Sequence, residues 1–314
     1  MREIIFYGSY LAFPFLAFSI YFGYIKRGLK LDKYFKITVF TIFTLLSLVF
    51  IYARFIEKNL IVTKNTDINV GFKAKIVVIS DIHLGAYNNS HFLDRIVDKI
   101  NKIEGVDAVM IAGDSTYYPS GDLNSLFKPL GRIKYPVYAV LGNHDSEQPG
   151  PYLRDKLKIA LEAQGVKFLY NQVTEIDGGR IKVLGLGDDW AGEDEVSMLN
   201  NFSKDDNVIV IAHNPDTTIK YQSGNADLTL SGHTHGGQIR IPFFYKSQIP
   251  SAYGFNQGLY KLNKKDGTLT ADKYSESAPA GDAFGQVYVS SGTGVIGLPM
   301  RLGIPPVIDV LNLK

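Results

Sequence analysis

Five of the chain's 6 histidines stand in short polar blocks that directly follow apolar runs. Asp81 and His83 follow "KIVVIS" (75–80), and Asp114 follows "DAVMIAG" (107–113). Asn143, His144 and Asp145 follow "PVYAVLG" (136–142), and His213 follows "NVIVIA" (207–212). His233 and His235 follow "ADLTLSG" (226–232) inside "SGHTHGGQ". A lone buried histidine is more often structural than a ligand. Five of them, mixed with carboxylates and a carboxamide, point to metal binding. Such donor sets suit borderline cations such as Mn²⁺, Fe²⁺/Fe³⁺ or Zn²⁺. Two ions about 3.5–4 Å apart would need a bridging carboxylate, and would clamp the attacking and leaving oxygens of a phosphoryl displacement.

The elements that must position these groups are strands. Near-continuous runs of Val, Ile and Leu suit strands covered on both faces. Helical spacing lies between them, at "HFLDRIVDKINKI" (91–103) and "YLRDKLKIALEAQG" (152–165). The alternation predicts an α/β fold, in which functional groups gather beyond the carboxyl ends of the strands. In extended backbone, residues i and i+2 point the same way. Asp81 with His83, and His233 with His235, are therefore each expected to offer two donors to one side.

Composition narrows the possibilities. The chain has 314 residues, with 33 Lys and Arg against 31 Asp and Glu, so no overall nucleic-acid footprint is expected. It has no cysteine, which excludes disulfides, thiolate nucleophiles and cysteine-ligated zinc.

Two uncharged stretches, 4–25 and 37–53, approach the about 20 apolar residues that a membrane helix needs. The loop between them carries Lys26, Arg27, Lys30, Lys33 and Lys36 against Asp32. Short basic loops stay in the cytoplasm. The expected organisation is a transmembrane helical hairpin over 1–56, a linker over 57–70 and a catalytic domain over 71–314. The domain would face the extracytoplasmic side of the cytoplasmic (inner) membrane. The polar stretch 263–285 reads as a surface excursion.

Taken together, "DIH…GD…GNHD…H…GHTH" resembles the calcineurin-like metallophosphoesterase superfamily. "GHTHGGQ" and the late "SSGTG…GLPMRLGIPP" look like its membrane-associated bacterial phosphodiesterase branch. The resemblance implies two packed, mostly mixed β-sheets flanked by helices. It implies two divalent ions, with manganese favoured over zinc or iron. Asp81, His83 and His235 would hold the first ion, and Asn143, His213 and His233 the second, with Asp114 bridging. A hydroxide between the ions would attack phosphorus. His144 would steady the phosphoryl oxygens or protonate the leaving alkoxide, with Asp145 as its orienting partner. The implied substrate is a phosphodiester or pyrophosphate, amphiphilic or envelope-derived. One alternative is the UDP-2,3-diacylglucosamine pyrophosphatase of lipid A synthesis. Another is a catalytically inactive metal-binding scaffold.

Where the family often writes "GDLVD" this chain has "GDSTY", so Tyr117 replaces an aspartate. Asp188 and Asp189 in "LGLGDDW" read as solvated turn residues or as neighbours of a ligand. Arg301 reads as a phosphate contact or a surface arginine. His91 reads as the start of a helix.

Overall fold

The computed structural model describes residues 2–11, 15–17, 32–265, 268–273 and 284–314. All five apolar runs form strands. β2 (Ala74–Ile79), β4 (Ala108–Ala112) and β6 (Val137–Val140) run parallel and adjacent. β7 (Val166–Phe168) flanks them on one side, and β15 (Val307–Leu313) with β1 (Val62–Ile68) on the other. The order of this six-stranded sheet is β1-β15-β2-β4-β6-β7.

The remaining two runs, β10 (Val208–Ile211) and β11 (Leu228–Ser231), are parallel neighbours in a second sheet. Its other strands are β8 (Gln172–Ile176), β9 (Ile181–Gly185), β12 (Gly258–Lys265), β13 (Thr268–Lys273) and β14 (Gly285–Val289). The order is β13-β12-β14-β11-β10-β9-β8. Both sheets are mixed, because β15 runs antiparallel to β2 and β12 antiparallel to β14. A small parallel pair, β3 (Leu84–Gly85) with β5 (Thr116–Tyr117), stitches together two of the loops that leave the first sheet.

Strand alternation sets the layers. Ile76, Val78, Ala108 and Met110 point inward and meet Val183, Ile209, Ile211, Leu228 and Leu230 of the second sheet. Val77, Ile79, Val109 and Ile111 point outward, under helices. Those helices include α3 (Ser90–Ile100), α4 (Leu123–Phe127) and α5 (Arg154–Glu162). In α3, Phe92, Leu93, Ile96, Val97 and Ile100 recur at three- and four-residue intervals and are all buried. The Asn89 side chain caps its start by accepting from Phe92 N at 3.2 Å, and His91 lies in its first turn. The helices expected at 91–103 and 152–165 are thus present, with shorter ends.

Two expectations need correction. Residues 57–70 are not a free linker, since Val62 to Ile68 pair in register with Val307 to Leu313 as β1. This edge strand, "VTKNTDI", is held by ladder hydrogen bonds and buries few side chains, so it carries no apolar pattern to find. The first part of the polar stretch 263–285 belongs to the antiparallel β12–β13 hairpin at the sheet edge. Residues 274–283 lie outside the described residues.

Near the N-terminus are α1 (Arg2–Gly8) and α2 (Lys33–Ile51). Asp32 caps α2, accepting from Tyr34 N at 2.8 Å and Phe35 N at 3.1 Å. The helix continues through further turns to Asn59. Among the described residues, Lys33–Asn59 is the one helix long and apolar enough to cross a membrane, by length and composition. Much of the first apolar run (12–14 and 18–25) and of the basic loop lies outside the described residues, so the hairpin itself is not established here.

The end of this helix is fastened to the domain. Glu57 is buried, and its carboxylate accepts from Gly303 N at 3.0 Å and Ile304 N at 2.6 Å. Arg301 N donates to Ala53 O at 3.1 Å. Arg54 is buried over the rings of Phe6, Tyr10 and Phe55 and donates to Ser9 Oγ at 2.8 Å. Phe6 in turn stacks on Tyr87.

Arg301 is neither a surface residue nor a phosphate contact. It is fully buried and donates to Gly294 O at 2.9 Å, Ile304 O at 3.1 Å and Ser291 O at 2.9 Å. These bonds hold the loop that joins β14 to β15. Replacing Arg301 with methionine keeps much of the volume and orphans three carbonyls, at about 1–3 kcal/mol for each unsatisfied group. Arg301→Met is expected to lower stability by about 3 kcal/mol or more, read as a shift in the urea unfolding midpoint.

Candidate metal centre

The five strands present their carboxyl ends to one cleft between the two sheets. Asp81 and His83 arrive from β2, Asp114 from β4, Asn143 from β6, His213 from β10, and His233 and His235 from β11. All seven side chains are buried. The donor atoms fall into two groups. In the first, His235 Nε2 lies 3.1 Å from His83 Nε2 and 3.4 Å from Asp81 Oδ1. In the second, Asn143 Oδ1 lies 3.1 Å from His213 Nε2 and 2.9 Å from His233 Nδ1. Asp114 Oδ2 stands between them, 3.5 Å from His83 Nε2 and 3.2 Å from His213 Nε2. Donors of Asp81, His83 and His235, and of Asp81, Asp114 and His213, lie within 4.8 Å of one another.

The pairs do not converge for the expected reason. Asp81, His83, Asp114, His233 and His235 all have positive φ, between 50° and 70°. The backbone has left the extended conformation at these positions, so simple i, i+2 alternation does not apply. A non-glycine residue held there costs on the order of 1–3 kcal/mol and persists only where its surroundings over-determine it. Those surroundings are visible. Asp81 N donates to Gly113 O, His83 N to Asp114 O and Gly294 N to Asp81 O. His233 N donates to both Asp81 oxygens, at 3.0 and 3.1 Å.

A second set of contacts aims the ligand atoms. His83 Nδ1 lies 3.2 Å from Thr116 O, and His213 Nδ1 lies 2.8 Å from Ala112 O. A carbonyl only accepts, so both Nδ1 atoms carry protons and Nε2 faces the cleft. Asn143 Nδ2 donates to Gln148 O at 2.7 Å, which turns Oδ1 inward.

The electrostatics fit a cation. Burial pushes His83 and His233 down to about 3, and His235 well below its ordinary value, leaving three neutral imidazoles. Burial raises Asp81 to about 7. Burial also opposes charge on His213, yet the carboxylates of Asp114, Asp81 and Asp188 outweigh it and lift His213 to about 10. Buried negative charge without a metal is thus answered by a proton on His213. Divalent cations answer it more fully and satisfy the converging lone pairs as well. The residues present fit the metals that the donor chemistry suggests.

Asp145 corrects the expectation of a His144–Asp145 pair. Its oxygens accept from Ser115 N (3.0 Å), Thr116 N (2.9 Å), Thr116 Oγ1 (2.7 Å) and Gly142 N (3.2 Å), and His144 is not among its partners. The chain turns after Gly142, with Asp145 N bonded to Gly142 O and Ser146 N to Asn143 O, and successive side chains diverge. Asp145 therefore braces the loop that carries Asp114. His144 stands beside His83 and Tyr117, at ring distances of 5.1 and 5.2 Å. Its backbone N donates to Asp114 Oδ1 at 2.9 Å, and its Nδ1 has no hydrogen-bond partner among the described residues.

Three further residues stand beside the donors, and of these only Trp190 was not singled out in the sequence. Asp188 is buried rather than solvated, and burial raises it to about 7. Trp190 packs edge-on against His233, at 4.6 Å between ring centroids. Tyr117, the departure noted above, forms a wall beside His83 and His144. Nothing in the spacing of Asp188 and Trp190 marks them, because both reach the cleft from a loop.

Fold and cleft together define a metal-binding α/β sandwich with a buried Asp/His centre. Residues 74–237 match the calcineurin-like phosphoesterase family, and the chain belongs to that family. It is 33% identical over 306 residues to an uncharacterized metallophosphoesterase of Campylobacter jejuni, covering 91% of this chain and 73% of the relative. It is 30% identical over 176 residues to the phosphodiesterase YaeI of Escherichia coli, covering 54% of this chain and 63% of YaeI. A transmembrane protein with metallophosphoesterase domain from Danio rerio is 29% identical over 257 residues, covering 76% of this chain and 53% of the relative. The chain is a metal-dependent phosphoric ester hydrolase.

The glycines that open the ligand loops leave no room for a side chain. A Cβ on Gly142 would collide with Asp114 Oδ1 and N, and one on Gly232 with Asp81 Oδ2. Gly142→Ala must therefore displace Asp114. It is expected to weaken Mn²⁺ affinity by about 10–100-fold, the usual cost of disturbing a ligand's support, as measured by calorimetric titration of stripped protein.

Proposed function

We propose that this protein is a membrane-anchored, dinuclear phosphoesterase that cleaves a phosphodiester or pyrophosphate bond. The observation that carries the reading is the position of Asp114, whose Oδ2 belongs to both donor groups at once. Asp81, His83 and His235 would hold one ion, Asn143, His213 and His233 the other, and Asp114 both. When bound, the ions supply Lewis acidity, which activates water and offsets charge on the phosphoryl oxygens. The protein's own contribution is placement. Buried carbonyls fix the His83 and His213 tautomers, and the turn after Gly142 leaves the His144 ring outside both donor groups. His144 is then available to hold a phosphoryl oxygen or to pass a proton to the leaving alkoxide. Asp145 acts through the Asp114 loop and is a positioning residue. The mixed imidazole, carboxylate and amide donor set suits manganese, zinc or iron, and manganese is favoured on the family resemblance.

Stripped protein resupplied with Mn²⁺, Zn²⁺ or Fe²⁺ is expected to hydrolyse an aryl phosphodiester in preference to the matching monoester. His235→Ala should abolish turnover and reduce bound metal. His144→Ala should keep its metal and lose about 10²–10⁴-fold in kcat. A His144→Ala variant as active as the parent would remove His144 from the chemistry.

The anchor is Lys33–Asn59, paired with the apolar stretch before it as a two-helix hairpin in the cytoplasmic membrane. The basic loop at 26–36 supports a cytoplasmic bend and an extracytoplasmic domain. Protease added to intact spheroplasts should then digest the domain. Digestion only after lysis would place the domain on the cytoplasmic side.

A further inference from the structure

A groove of about 530 Å³ lies beside His235, one of the seven donors of the metal centre. His235 itself forms part of its wall, and Ile239, Ile241, Phe244, Ile296 and Leu298 supply apolar lining. A substrate approaching the His235 side of the metal centre would have this groove beside it. The segment after "GHTHGGQ" forms one rim and projects apolar residues outward, with Phe243 97% and Phe244 69% exposed. Soluble surfaces rarely gather such side chains unless they meet a membrane or a partner.

The rim is also tied to the end of the membrane helix. Gln238 Nε2 donates to Ile296 O at 2.9 Å and to Leu298 O at 3.0 Å. Arg240 N donates to Leu302 O, and Leu302 N to Gln238 O. The adjacent residues Arg301, Gly303 and Ile304 bond Ala53 and Glu57 of the helix. On the other side, Tyr87 donates to Gly297 O at 2.7 Å and stacks on Phe6 of α1. The groove thus has His235 in its wall, and its rim is bonded to the end of the Lys33–Asn59 helix.

We propose that this groove holds the hydrocarbon chain of a bilayer-resident phosphodiester, with the Phe243–Phe244 tip resting in the membrane interface. The inference rests on the phosphoesterase reading above and adds the class of substrate. Exposed phenylalanines suit shallow insertion, as on interfacial helices whose apolar face carries Trp, Phe or Leu. A short bonded path to the helix keeps the groove at a constant height over the lipid. The substrate's phosphate would reach the metals while its chain stays within apolar surroundings.

The test uses the full chain in detergent, loaded with Mn²⁺, and two probes: methyl and octyl p-nitrophenyl phosphate. Wild type is expected to cleave the octyl ester with a kcat/KM at least tenfold above the methyl ester. Leu298→Glu and Ile241→Glu, both at exposed or half-exposed positions, should bring that ratio towards one while retaining bound manganese. Micelle partitioning acts equally on every protein, so the reading is the change in ratio between proteins. Equal ratios in wild type and both variants would overturn the groove. Failure of wild type to cleave either ester would count against the reaction assigned above. The groove would then be judged by calorimetric binding of octylphosphonate. Binding weakened at least tenfold in the variants supports it, and unchanged binding overturns it.

Discussion

Two carboxylates, Asp81 and Asp114, are buried in a cleft a few ångström wide, and much of the molecule is arranged around that cost. Ionised groups taken out of water must be paired, coordinated or neutralised. Here the described residues provide neutral imidazoles, a carboxamide and backbone N–H groups, which stabilise the charge only in part. The same carboxylates lift His213 above its ordinary value, and a divalent cation would offset that charge as well. The arrangement suits a cation better than a purely structural ion pair.

The same constraint accounts for the unusual backbone around it. Bringing seven donors together requires left-handed residues at five of them, and glycines where a Cβ would strike a ligand. Neither feature is stable alone. Two sheets supply the rigidity, since parallel strands with buried faces hold the loop bases in fixed register. Asp145 and Arg301 perform the equivalent task between loops, one accepting from the Asp114 loop and the other donating to the loop before β15. The attachment of the long apolar helix through Glu57 and Ala53 extends this rigidity to the helix end.

Much of this was legible from residue order. The strands were marked by β-branched runs, and the ligands by polar blocks after them. Other parts were hidden for definite reasons. β1 is an edge strand with a polar sequence, stabilised by backbone bonds that leave no hydrophobic period. Asp145 follows His144 directly, yet a turn sends the two side chains apart, so the partnership implied by the resemblance is not formed. Arg301 looked available because arginine is rarely buried, and three backbone carbonyls made it the exception. Trp190 and Asp188 enter the cleft from a loop whose path depends on the packing of everything else.

The sequence by itself determined the donor types, their order and their attachment to strand ends, because apolar runs and polar blocks are local properties. It also determined that a long apolar helix precedes the domain. Only the tertiary structure decided how closely the donors gather, that Asp114 Oδ2 lies 3.5 Å from His83 Nε2 and 3.2 Å from His213 Nε2, and that His235 also lines an apolar groove. Those relations join residues far apart in the sequence, and they come from how two sheets pack and where their loops must bend to keep buried charge paired.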